Sequence, residues 1–215
     1  MCVVKYLVCS IAMILTHASY AVTETKYPWF LGAGTGYGST LWRGLVPEKS
    51  NQNMALSMST PVNVDEGGLL WGVGGGVEIF PQFQFEFFYW KYPNASIYFD
   101  EESLFTYENN NATSFQSNTY TFLLEGKFLV PWRDSPLNIY ATAGMAWLNR
   151  DDYVFSNEII SPSFGVGLNY GFSDHWMGEF GFVYTAGNGE SELNPAADFM
   201  PFLYGIYTRL FYRFG

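Results

Sequence analysis

Eight stretches of this chain alternate apolar residues with small or polar ones at every second position, and that period constrains the fold more than any other feature. Period two belongs to extended strands, whose side chains point to opposite faces in turn. The stretches are 29–39, 69–80, 83–92, 119–130, 137–147, 161–172, 175–187 and 202–214. Each holds about ten to thirteen residues, enough for a tilted strand to cross a bilayer. The links between them alternate short and long. Pro81-Gln82, "PWRDSP" at 131–136 and Ser173-Asp174 are tight, whereas 40–68, 93–118, 148–160 and 188–201 are long. An up-and-down membrane barrel produces that alternation, with short turns on one side and long loops on the other. The pattern therefore predicts an all-β fold, an eight-stranded antiparallel up-and-down transmembrane β-barrel.

The two faces of the strands differ. In 69–80 one face carries Leu69, Trp71, Val73, Val77 and Ile79, and the other carries Leu70, Gly72, Gly74, Gly76 and Glu78. In 29–39 the glycines are Gly32, Gly34, Gly36 and Gly38. A nucleotide-binding loop would need its glycines to close a strand and open a helix, and no helical pattern follows either run. Glycines in period two instead line a narrow lumen, which in an eight-stranded barrel is only wide enough for side chains. They are expected to leave room for Phe88, Trp90, Tyr140 and Phe211.

The face with the glycines also holds the mid-strand charges: Glu78, Glu86, Glu125 and Glu179 with Lys127, Arg209 and Arg213. Four acids and three bases at similar depth predict a paired network, because an unpaired charge in such a space is costly. A static plug is the expected role; its alternative is a gate that exchanges partners. The apolar face ends in aromatics. Trp29, Trp132, Trp176, Tyr212 and Phe214 fall at the short-turn side, and Trp71, Trp147 and Tyr184 at the long-loop side. They are expected to form two girdles at the membrane interfaces. A charge on the apolar face, as in Val166→Arg, is expected to cost ~2–4 kcal/mol at mid-bilayer, and Gly167→Ala in the lumen far less.

Residues 1–21 read as a cleaved secretory signal peptide: Lys5, an apolar core from Tyr6 to Leu15, then Ser19 and Ala21 at the expected cut. Residues 22–215 are then one barrel domain. Both cysteines, Cys2 and Cys9, and His17 precede the cut, leaving His175 as the remaining histidine. No thiol chemistry, zinc site, cofactor or other metal centre is expected on that basis. No later run has the ~18 apolar residues of a membrane helix. Charged residues make up 14% of the chain and aromatics 20%, against the ~25% charged usual in soluble domains. The long links hold thirteen acids against Arg43, Lys49 and Arg150. That acidity disfavours nucleic acid, and "DEE" at 100–102 lacks the ligand spacing of a calcium cage. Solvated, mutually repelling loop tips are expected.

The leader, "PWFLGAGTGYGS", "FGVGLNYGFSDHWMGEFGFVYTAG" and the closing "LYGIYTRLFYRFG" resemble small OmpA-like or opacity-type outer-membrane barrels of Gram-negative bacteria. Such barrels end on an aromatic residue, whereas here Gly215 follows Phe214. The resemblance implies a multi-pass outer-membrane protein in contact with lipid, lipopolysaccharide and the barrel-assembly machinery. It further implies a surface-antigen, adhesion or envelope role, with a host or surface ligand taken by loops 40–68 and 93–118. The runner-up is a narrow channel for ions or small apolar molecules. Some such barrels are lipid A deacylases or acyltransferases with a histidine base near the external rim. His175 lies at a short turn on the opposite side, so no catalytic residue is assigned and no enzyme is expected.

Overall fold

The computed structural model describes residues 27–42, 61–188 and 199–214. The expected leader 1–21, residues 43–60 and 189–198 of the first and last long links, and Gly215 lie outside the described residues. The strands are β1 (Trp29–Leu41), β2 (Asn63–Asp65), β3 (Gly68–Phe80), β4 (Phe83–Lys91), β5 (Ala95–Tyr98), β6 (Ser114–Pro131), β7 (Leu137–Asp151), β8 (Ser156–Gly171), β9 (Trp176–Thr185) and β10 (Phe202–Phe214). One short helix, α1 (Leu104–Glu108), stands between β5 and β6.

The eight long strands close on themselves in the order β1, β3, β4, β6, β7, β8, β9, β10, with β10 returning to β1 and every neighbour antiparallel. Closure leaves no exposed sheet edge, which is what a strand surrounded by hydrocarbon requires. These are the eight strands that the alternation predicts; three have clearly longer external ends, whereas β4 stops at Lys91 and β9 at Thr185, short of the predicted 92 and 187. β6 begins at Ser114, β7 runs to Asp151 and β8 begins at Ser156.

The same alternation sets the faces. On the outside, Leu69, Val73, Phe164, Val166, Phe180, Ile206 and Leu210 are exposed. On the inside, Phe88, Trp90, Tyr140, Tyr207 and Phe211 are buried. The glycines sit against these large rings: a Cβ at Gly74 would lie 2.4 Å from Phe88, and one at Gly34 2.9 Å from Trp90. Small residues thus accommodate bulky ones from the strands beside them.

Past the external rim the sheet continues. Beyond a break at Tyr92–Pro93–Asn94, β5 resumes pairing with β6 at Ala95↔Ser117 through Tyr98↔Ser114. β2 then pairs with β5. Gly67, at φ +92°, makes the bend between β2 and β3 in a conformation that other residues rarely adopt. The three-stranded extension backs a second hydrophobic core of Trp42, Val64, Ala95, Ile97, Phe99, Phe105, Phe115 and Phe199. The long links are therefore not all solvated tips. Phe99 and Phe105 stack at 3.8 Å, and Ser103 caps α1 by accepting from the Thr106 N–H at 3.2 Å.

Candidate functional site

The inward charges are carried to one level of the lumen by strand register. Arg209 on β10 lies opposite Glu179 on β9, and Glu86 on β4 lies opposite Glu125 on β6. Lys127, two residues from Glu125, shares its face. Four of these side chains form a closed ring of ion pairs across the lumen. Lys127 bonds Glu86 and, at 2.6 Å, Glu179. Arg209 meets Glu179 at 2.5 Å and Glu86 at 3.2 Å. Acid and base alternate around the ring, so each buried charge touches two of opposite sign. That arrangement offsets the desolvation cost that each would otherwise carry.

Aromatic rings enclose the layer. The Arg209 guanidinium stands 5.0 Å from the Phe88 ring, 4.8 Å from Tyr207 and 5.1 Å from Phe211. Lys127 Nζ stands 4.6 Å from Tyr140, whose hydroxyl lies 3.0 Å from that of Tyr207. Asn169 donates to Glu179 at 2.9 Å. Two of the other predicted lumen charges form a separate pair nearer the short turns, Arg213 with Glu78 at 2.6 Å, and Gln84 donates to the same Glu78 oxygen at 3.1 Å. Glu125 stands apart: it is buried, accepts from Ser163 Oγ at 3.0 Å and forms no ion pair among the described residues. The seven charges are thus one ring of four, one rim pair and one single carboxyl, rather than one network.

A second charged centre lies in the cap, the external part built on the three-stranded extension and the second hydrophobic core, and it is one that the alternation did not single out. Arg150 has a fully buried side chain, pairs with Asp152 at 2.6 Å and donates to the Phe199 carbonyl at 2.6 Å. Its guanidinium lies 4.6 Å from Trp42, 5.0 Å from Phe155 and 5.8 Å from Phe115. All four long links meet at this residue. The signal was present: Tyr140, Thr142, Gly144, Ala146, Leu148 and Arg150 share one parity, and the inward face of β7 simply continues three residues past 147.

The aromatics predicted as girdles point outward. Trp71, Trp132, Trp147 and Trp176 are exposed, and Trp29, Tyr184, Tyr212 and Phe214 are half-buried. Trp29 stacks on Phe214 at 4.0 Å, and Trp176 meets Tyr212 at 5.1 Å. His175 stacks on Tyr212 at 5.7 Å beside a short turn. Among the described residues no group of three or more His, Cys, Asp or Glu could hold a metal ion.

No protein-family model and no curated protein sequence matches the chain. Solved structures do. Neisserial surface protein A aligns at a TM-score of 0.51 over 86% of this chain and 97% of its own, with 11% identity. The outer membrane protein OprG from Pseudomonas aeruginosa aligns at 0.50 over 87% and 96%, with 10% identity. The N-terminal β-barrel domain of Pseudomonas aeruginosa OprF aligns at 0.49 over 87% and 97%, with 11% identity. The fold is that of the small eight-stranded outer-membrane β-barrels.

Proposed function

We propose that the chain is an integral, multi-pass protein of a Gram-negative outer membrane whose lumen is a static plug and whose working part is the external cap. The observation that carries this reading is the closed ring of Lys127, Glu86, Arg209 and Glu179 among buried aromatic rings. An ion could pass only by breaking several buried pairs at once, and each rupture leaves an uncompensated charge in a poorly solvated space. The cap, by contrast, has its own core and exposes Asp65, Glu101, Glu102 and Glu108 with Tyr107 and Tyr153. A folded acidic surface of that kind suits contact with a host or surface ligand through 40–68 and 93–118, and it disfavours nucleic acid.

Outer-membrane lipid and lipopolysaccharide contact the apolar band in this reading, and the assembly machinery inserts the barrel. No catalytic step is assigned, because His175 sits at a short turn, away from the cap. The test is single-channel conductance of the refolded barrel in a planar bilayer. Silence from folded, inserted protein is the expected result. Steady discrete openings that change in Arg209→Ala would overturn the plug in favour of a narrow channel.

A further inference from the structure

At the level of the ion-pair ring the lumen buries three acids, Glu86, Glu125 and Glu179, against two bases, Lys127 and Arg209. The ring of four is neutral within itself. As a carboxylate, Glu125 would therefore leave this layer one negative charge in excess. Its surroundings hold that charge poorly. Glu125 Oε1 accepts from Ser163 Oγ at 3.0 Å, and Ser163 Oγ in turn accepts from Thr185 Oγ1 at 3.3 Å. No ion pair reaches Glu125 among the described residues. Strand register sets Gly144 opposite it on β7 and Glu86 directly opposite it on β4. Like charges so placed on neighbouring strands repel. Of the charged groups around Glu125, Glu86 acts on it most strongly, ahead of Arg209 and Lys127, and Tyr92 also feels its charge.

Glu86 lacks what Glu125 could supply. Its Oε1 accepts from Lys127. Its Oε2 lies 3.2 Å from Arg209 Nη1, yet it is buried and has no hydrogen-bond donor among the described residues. A buried carboxylate with one hydroxyl donor and no cation neutralises rather than stay charged. A proton does so without needing a cavity. We propose that Glu125 is a proton-binding site. At neutral pH the folded barrel holds it as the neutral acid, Oε1 accepting from Ser163 and the Oε2 hydroxyl donating to Glu86 Oε2. One proton thereby removes the excess charge and turns two facing like charges into a donor and an acceptor. It also satisfies the open oxygen of the ring, much as two adjacent carboxylates share one proton in other folds. Glu125 holds this proton whether or not the lumen conducts.

Carbon-13 NMR of the refolded native barrel, labelled at glutamate, decides the matter. The carboxyl carbon of Glu125, assigned through its own backbone amide, is expected in the acid form at neutral pH. A carboxylate signal there would overturn the site. Glu125→Gln gives an independent reading, because a neutral amide copies the shape of the acid. The folded chain keeps a proton that the unfolded chain releases above about pH 4.3. Its contribution is present in full below that pH and is lost as pH rises. The unfolding constant then grows by up to about tenfold per pH unit until Glu125 itself ionises in the fold. Between about pH 6 and pH 9, where ordinary carboxyls no longer titrate, this growth is expected in the native barrel and not in Glu125→Gln. Parallel profiles would also overturn the site. The carbon-13 signal belongs to the native chain, so a variant that fails to refold leaves the test decided.

Discussion

An alanine methyl at Gly167 would lie 2.4 Å from the Phe180 carbonyl oxygen and 2.5 Å from the Tyr140 hydroxyl. Parity alone suggested that this lumen substitution would be mild, and the structure corrects that. The lumen is full, so overpacking is expected to cost about 1–3 kcal/mol at Gly167→Ala, measured as a shift in the denaturant midpoint. Gly181 isolates the cause. A Cβ there meets the Tyr140 hydroxyl at 2.2 Å and the Tyr207 ring at 2.9 Å. Gly181→Ala should therefore be destabilising in the native background and much less so with Tyr140→Phe, a rescue that a backbone effect would not give. On the outer face, Val166→Arg still carries the charge penalty of ~2–4 kcal/mol at mid-bilayer. In the ring, Lys127→Met strands Glu86 and Glu179 on one side each, and a loss of about 3–5 kcal/mol is expected. A midpoint unchanged in Lys127→Met would mean that the ring does not hold the barrel.

At the scale of elements, the barrel and its cap have separate cores. Phe105→Ala removes the ring that stacks on Phe99 and holds α1. It is expected to speed proteolysis within 99–113 while leaving the heat-induced mobility shift of the barrel on gels unchanged. A barrel that melts together with its cap would contradict two cores. This division also explains what the sequence disclosed. Each of the eight barrel strands writes its own alternation, because every second residue faces lipid regardless of what lies across the lumen. The cap has no such local rule. Trp42 and Val64 from one link, Phe105 and Phe115 from a second and Phe199 from a third bury one another only after the chain has closed. The ring shows the same limit. Parity placed Glu86, Lys127, Glu179 and Arg209 inside, but which acid meets which base depends on contacts across the barrel, and Glu125 has the same parity without a pair.

At the scale of the whole molecule, the barrel is a cylinder whose tryptophans report its position in a bilayer. The chain has seven. Trp42 and Trp90 are buried, at 0% and 1% exposure, and so are screened from lipid. The other five sit on the outer wall. Trp29, Trp132 and Trp176 lie at the short-turn end, and Trp71 and Trp147 at the long-loop end. Indole rings favour the interface because one edge is apolar and the N–H seeks a partner. Two populations near opposite surfaces, separated by an apolar band of about 25 Å, are therefore expected. Single-tryptophan variants in liposomes made with lipids brominated at graded depths would measure this. Trp71 and Trp176 should both be quenched best by shallow bromines, although they lie at opposite ends of the cylinder, and Trp90 should be quenched weakly at every depth. A reagent confined to the external water should then reach Trp71 and not Trp176. Deep-bromine quenching of either would move the membrane along the barrel axis, and with it the boundary between the part that lipid holds and the cap.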